Sequence, residues 1–171
     1  MRLVPNMYKN KVEDIPYKKL KSMGIKVLLF DLDNTLALLD EVECPIRVVK
    51  LINKLSKDFK VFIITNGNGK RALPYKEKLD IEIISKAMKP FTRGLRKLHK
   101  EYHFKKDEMV MIGDQLITDM ISGKKYGIMT ILVDPLGKKD LKMTYFNRLL
   151  EKIIFKYYAS KGVFKRGRYY E

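Results

Sequence analysis

Asp31 and Asp33 stand directly after the apolar run Val27–Phe30, in the string Asp31-Leu32-Asp33-Asn34-Thr35-Leu36. A short apolar run bounded by polar residues is the signature of a strand covered on both faces. Ligands of open α/β sheets bind just beyond the carboxyl ends of such strands. Two residues apart on an extended segment, the two carboxylates would point the same way. One would attack and the other would move protons, the division of labour of covalent catalysis through an acyl-phosphate. The competing reading is an Asp/Asn turn that closes the strand, since both residue types favour turns.

Three further apolar runs deliver polar groups at the same end. Val61–Ile64 leads into Thr65-Asn66-Gly67, where a hydroxyl and backbone N–H groups suit phosphate oxygens. Ile81–Ile84 is followed by Lys89-Pro90, a cation ahead of a helix start. Met109–Ile112 leads into Gly113-Asp114, with Asp119 further on. Taken singly, Thr65 reads as a loop cap, Lys89 as a solvated charge and Asp114 as a turn residue. Taken together, a hydroxyl, an ammonium and extra carboxylates converge on the first Asp pair. That is the layout of a phosphoryl-transfer site, because phosphate needs counter-charge more than acid–base help, and Mg²⁺ on carboxylates with a nearby Lys supplies it.

The four strings DLDNT, TN after a strand, KP and GDQLITD resemble, in order, the four motifs of the haloacid dehalogenase (HAD) superfamily of phosphatases. Gly24-Ile25-Lys26, Thr118-Asp119, Thr130-Ile131-Leu132-Val133, and Asn147-Arg148 with Glu151 are similar to the YqeG-like branch of capless HAD phosphatases, which is related to mitochondrial phosphatidylglycerophosphate phosphatases. The likeness extends over residues 3 to 151. It implies that Asp31 is the nucleophile and Asp33 the general acid/base. It implies Mg²⁺ held by the Asp31 carboxylate, the main-chain carbonyl of Asp33 and the Asp114 carboxylate. Thr65 and the Asn66 N–H would hold transferring oxygens, Lys89 would balance charge, and Asp119 would support the metal through water or position Lys89. Asn34 and Thr35 would shape the loop. An Asp at position 33 argues for phosphatase or phosphomutase chemistry over dehalogenase or transport-ATPase chemistry.

The implied fold is α/β, a three-layer Rossmann-like parallel sheet of about five strands with helices on both faces. Superfamily caps are inserted soon after the first motif or between the second and third, and neither gap has room for one. Pro45 opens a helix with Val48, Ile52 and Leu55 as its apolar stripe, and the Thr65–Lys89 interval is filled by Ala72–Leu79 and the third strand. A capless site is open to a macromolecular or lipid phosphate, or is closed by a partner subunit. The expected organisation is a phosphatase domain over residues 1–146, with a lead-in helix between Pro16 and Met23, and a basic, aromatic helix and tail over 147–171. Pro74 should break or shorten any helix over Gly69–Tyr75. Phe91, Leu95, Leu98 and Tyr102 form one apolar face, on a helix whose His99 and His103 read as surface histidines.

With 171 residues, the chain suits one compact domain. Its longest apolar stretches fall well short of the ~18 residues that span a bilayer. With no signal-peptide pattern and a single cysteine, Cys44, the expected setting is cytoplasmic and reducing, with peripheral attachment at the inner membrane surface as a further expectation. The charge is the feature that catalysis leaves unexplained: 36 Lys and Arg face 20 Asp and Glu. Such an excess favours polyanionic partners, either RNA, an anionic membrane or a phosphorylated substrate, unless it reflects only a lysine-rich, solvated surface. Residues 147–171 hold seven basic residues, two acids and six aromatics. Leu149, Leu150, Ile153, Ile154, Tyr157 and Tyr158 recur at helical spacing. Lys161–Glu171 interleaves bases with aromatics, a pattern that suits nucleic-acid stacking, a membrane interface or a solvated tail.

The leading expectation is a Mg²⁺-dependent phosphomonoester hydrolase on an exposed phosphate, with phosphatidylglycerophosphate the attractive lipid. The alternatives are an RNA- or ribosome-associated factor that uses the fold as a basic binding module, and a nucleotide or metabolite phosphatase lidded by a partner subunit.

Overall fold

The computed structural model describes residues 3–139 and 142–171. Six strands form the central sheet: β1 (Met7–Lys9), β2 (Val27–Phe30), β3 (Lys60–Ile64), β4 (Glu82–Ile84), β5 (Met109–Gly113) and β6 (Met129–Val133). Their order is β1-β6-β5-β2-β3-β4, and every neighbouring pair runs parallel. The chain starts its main sheet at β2, moves outward through β3 and β4, then returns to the other side of β2 at β5. Strand order therefore reverses at the β2/β5 boundary. That is where a ligand crevice opens beyond the strand ends in folds of this class.

Alternation along each strand explains the two faces. Leu28 and Phe30 of β2 join Ile63, Val110 and Ile112 in one core, covered by α1 (Tyr17–Ser22), α2 (Ile46–Leu55) and α3 (Gly69–Lys78). Val27 and Leu29 join Phe62 and Met111 in the other, covered by α4 (Arg93–Tyr102) and α5 (Ile121–Tyr126). All four residues of β2 are buried, as a strand with helices on both sides requires. The long α6 (Lys142–Ser160) lies over the β6 and β1 edge, where Phe155 meets Tyr8, Leu132 and Phe164.

The fold class is as the sequence implies, with no domain inserted between the motifs, but several local expectations change. The sheet has six strands rather than about five. The extra strand, β1, has only three residues and no apolar run, so it carries no periodic signal; pairing with β6 defines it. Pro74 does not break α3, which runs unbroken for ten residues. Asn68 caps its N-terminus by accepting from the Arg71 N–H at 3.0 Å, and Ala72 and Tyr75 are fully buried against the sheet. Packing there outweighs the one lost helical hydrogen bond. Phe91 stands ahead of α4 and is exposed rather than part of its apolar face. His99 is half-buried beside Tyr126 and His103 is exposed at the left-handed C-cap of α4. Cys44 is a buried free thiol within the first core.

The C-terminal segment folds back onto the molecule. The Tyr8 and Tyr170 backbones exchange two hydrogen bonds of 3.0 Å, and Phe164 is buried among Tyr8, Phe155 and Tyr158. Deleting a buried aromatic ring leaves a cavity as well as lost transfer energy. Phe164→Ala should therefore lower unfolding free energy by about 3 kcal/mol in urea titrations followed by circular dichroism.

Candidate active site

Beyond the carboxyl ends of β2, β3 and β5 lies a cleft of about 580 Å³ whose lining includes Asp31, Asp33, Thr65, Asn66, Lys89 and Phe146. At its base Lys89 Nζ donates to Asp31 Oδ1 at 2.5 Å and to Asp119 Oδ1 at 2.7 Å, all three side chains being buried. Lys89 is held from behind by Asn66: its backbone N–H donates to Asn66 Oδ1 at 2.7 Å, and the Asn66 side-chain amide donates to the Lys89 carbonyl at 2.9 Å. The Thr65 hydroxyl accepts from the Gly67 N–H at 2.9 Å, which fixes the hydroxyl at the cleft wall.

Asp119 reaches Lys89 because the chain after β5 turns through a wide π-helical turn, Leu116–Met120. Its other carboxylate oxygen accepts from the Gln115 N–H at 3.1 Å. The space it occupies exists only because residue 113 is glycine: a Cβ there would lie 2.3 Å from the Asp119 carboxyl carbon. Such π turns are rare and concentrate at functional sites.

Asp114 points into the same cluster. The Thr35 hydroxyl donates to its Oδ1 at 3.0 Å, and Arg148 of α6 donates both to its carboxylate and, at 3.0 Å, to its backbone carbonyl. Arg148 also pairs with Glu151 at 3.2 Å, and Glu151 accepts from the Ile117 N–H. Asp33, nearer the mouth, pairs with Arg71 Nε at 2.8 Å. Arg71 donates in turn to the carbonyls of Leu38 and Glu41, and so ties α3 to the loop that follows β2.

All seven residues singled out from the sequence thus gather around one cleft. Sequence reasoning missed Arg71, whose only signal is its place in the first turn of the helix after Thr65-Asn66-Gly67. It noted Arg148 and Glu151 without a role, although an i,i+3 pair of opposite charge is a recognisable helix pattern. It also described Asp114 and Asp31 as the metal carboxylates, whereas the buried cluster includes Asp119 on equal terms: ligand atoms of Asp31, Asp114 and Asp119 lie within 4.8 Å of one another.

The electrostatics of this cluster favour a cation. Among the described residues it holds four buried carboxylates, Asp31, Asp114, Asp119 and Glu151, against two cations, Lys89 and Arg148. Burial drives Asp31 well above the usual carboxylate range despite Lys89, and the neighbouring Asp119 and Asp114 push it further. Burial also lifts Asp114 to about 7 against the opposing pull of Arg148. Lys89 behaves oppositely: burial alone would lower it, but Asp119 and Asp31 hold it above its ordinary value. Fully ionised, these groups would carry two excess negative charges on hard oxygen donors, which fits a divalent cation such as those bound by carboxylate oxygens.

A family model described as mitochondrial PGP phosphatase matches residues 1–137. The chain belongs to this family. It is 34% identical over 160 residues to "Probable phosphatase YqeG" of Bacillus subtilis (strain 168), with 93% of each chain covered. It is 26% identical to "Phosphatidylglycerophosphate phosphatase 1, chloroplastic" of Chlamydomonas reinhardtii, covering 78% of this chain and 53% of that protein, so it spans about half of that relative's length. Among solved structures, a predicted HAD-like family hydrolase from Porphyromonas gingivalis superposes with a TM-score of 0.53 at 14% identity, covering 74% of this chain and 98% of that one. The HAD-hydrolase YfnB of Bacillus subtilis, bound to magnesium, superposes with a TM-score of 0.51 at 16% identity, covering 70% and 91%. The protein is a phosphatase with a HAD-type fold, and its buried acidic cluster is a candidate metal site.

The raised carboxylates make a pH prediction for the metal-free protein. A carboxyl group whose folded-state value exceeds its unfolded value destabilises the fold above the folded value, and this cost disappears as pH falls toward the unfolded value. Thermal melts in EDTA should therefore show a higher Tm at pH 5.5 than at pH 8. Removing the buried ammonium by Lys89→Met should cost about 3–5 kcal/mol at pH 8, read by the same melts, because it leaves Asp31 and Asp119 facing each other unpaired.

Proposed function

We propose that the protein hydrolyses a phosphomonoester through an aspartyl-phosphate on Asp31, with Mg²⁺ as its metal, and that the phosphate is a lipid headgroup, phosphatidylglycerophosphate being the substrate class. The observation that carries the reading is the Asp31 carboxylate held by buried Lys89 at 2.5 Å at the base of an open cleft, with Asp33 at the mouth.

In the first half-reaction a carboxylate oxygen of Asp31 forms a bond to phosphorus as the phosphorus–oxygen bond to the leaving alcohol breaks. Asp33, in its acid form, gives its proton to the departing oxygen. In the second half Asp33 takes a proton from water, the water oxygen bonds to phosphorus, and the acyl-phosphate bond breaks to regenerate Asp31 and release inorganic phosphate. Lys89 would balance the charge on Asp31 and the phosphoryl oxygens, and the Thr65 hydroxyl and the Asn66 N–H would hold those oxygens. Arg71 keeps Asp33 in place between α3 and the loop after β2. Asp31, Asp114 and the Asp33 carbonyl would hold the metal, with Asp119 in direct or water-mediated support; when bound, the ion would supply positive charge for the phosphoryl oxygens.

The absence of an inserted domain supports a large or surface-borne substrate, and the activity for which the algal relative and the matching family are named supports the lipid. An RNA-associated role has less support, because a binding module has no need for buried Asp31, Lys89 and Asp114. Phosphate release should be assayed with Mg²⁺ from phosphatidylglycerophosphate in mixed micelles, beside nucleotides and sugar phosphates. Release from the lipid, lowered at least ~10³-fold in Asp31→Asn, is the expected result. Release only from soluble esters would replace the lipid with a metabolite substrate. Arg71→Met should lower kcat about 10- to 100-fold with little change in KM, since it acts through the acid/base group and not through substrate affinity.

A further inference from the structure

The inward face of α6 is accounted for: Arg148 and Glu151 reach the site, and Phe155 and Tyr158 pack against Tyr8 and Phe164. Its outward face is not polar, as a solvent-facing helix surface normally would be. Tyr145, Leu149, Ile153 and Tyr157 recur every four residues along it, with Phe146 beside them, and each is between 56% and 77% exposed. Lys152 and Lys156 are exposed on the same face. From Thr144 to Ser160 the helix contains one acid, Glu151, and it is buried facing inward. A contiguous exposed apolar stripe of this kind marks an interaction surface.

We infer that the outward face of α6 docks the enzyme on an anionic bilayer, with the cleft mouth brought to headgroup level. The inference rests on the lipid-phosphate reading above and specifies how that substrate is reached. Three observations select this occupant. Aliphatic and aromatic side chains flanked by lysines match the composition of helices that lie in the membrane interface, with the apolar face inserted and the bases among anionic headgroups. The stripe is continuous with the site: Phe146 at its start lines the same cleft as Asp31. The chain as a whole carries the same sign of charge, a formal +16 at pH 7.

Other occupants fit less well. A second copy meeting this face through two-fold symmetry would set Lys152 and Lys156 against the same residues without an exposed acid on the helix to answer them. RNA would find rings at Tyr145, Phe146 and Tyr157 at the two ends of the stripe, but Leu149 and Ile153 at its centre offer none for a base to stack on.

The test uses the full chain and sedimentation with two kinds of vesicle, pure phosphatidylcholine and an equal mixture of phosphatidylcholine and phosphatidylglycerol. Hydrolysis of a soluble aryl phosphate and circular dichroism serve as controls for the fold. The parent should bind the anionic vesicles and not the neutral ones. Leu149→Glu with Ile153→Glu should reduce vesicle partitioning at least ~10-fold, and Lys152→Glu with Lys156→Glu by a comparable factor. Both variants should keep soluble-ester hydrolysis and lose turnover of vesicle-borne phosphate.

Binding of the stripe variants at the parent level, or no binding by the parent, would overturn the inference. So would a parent dimer that the Leu149/Ile153 variant converts to monomer without any change in lipid binding. Vesicle binding that depends on the stripe, with no phosphate released from any ester, would overturn the catalytic proposal and leave the docking face standing.

Discussion

The site is organised around one buried ammonium. Lys89 Nζ sits between Asp31 and Asp119 with all three groups out of water, a placement whose desolvation cost is large unless each charge is met at close range. That requirement reaches outward through the structure. Asn66 must grip both sides of the Lys89 backbone, the chain after β5 must widen into a π turn to bring Asp119 back, and residue 113 must lack a side chain. The parallel sheet makes this feasible, because it aims three strand ends at one point while the core below stays apolar.

The remaining charge imbalance makes the buried acidic cluster a candidate cation site. Asp114 and Asp31 are raised even in the presence of Arg148 and Lys89, so the protein holds carboxylates in a state that a divalent ion would relieve. Burying these carboxylates costs stability locally in the metal-free protein. Asp33 stands apart from that cluster, nearer the mouth and paired with Arg71.

The C-terminal helix serves two surfaces. Its inward face couples Arg148 and Glu151 to Asp114 and to the π turn, so the helix is part of the site's support. Its outward face leaves an apolar stripe at the edge of the cleft, where an inserted domain would otherwise control access. Family membership accounts for the phosphatase assignment, and the outward face of α6 carries Lys152 and Lys156, a small part of the 36 basic residues of the chain.

The four apolar strands and the acidic, hydroxyl and lysine groups that follow them were legible in the sequence, because a doubly covered parallel strand must be apolar throughout and its polar successor must then lie at the sheet's edge. Asp31, Asp33, Thr65, Asn66, Lys89, Asp114 and Asp119 all follow from that rule together with the HAD-like motifs. β1 was not legible, since three residues carry no period and only the partner strand β6 defines them. Nor was the unbroken course of α3 through Pro74, which depends on burial of Ala72 and Tyr75. Arg71 and Arg148 lie far along the chain from Asp33 and Asp114, and no local pattern couples them; their roles arise only when helices pack across the strand ends. Sequence by itself determined the layers and the polar groups that gather at the strand ends, because those depend on side-chain polarity read along one strand at a time. Tertiary structure decided which charges face one another and which face of α6 remains open, because both depend on distances between elements that the chain brings together only on folding.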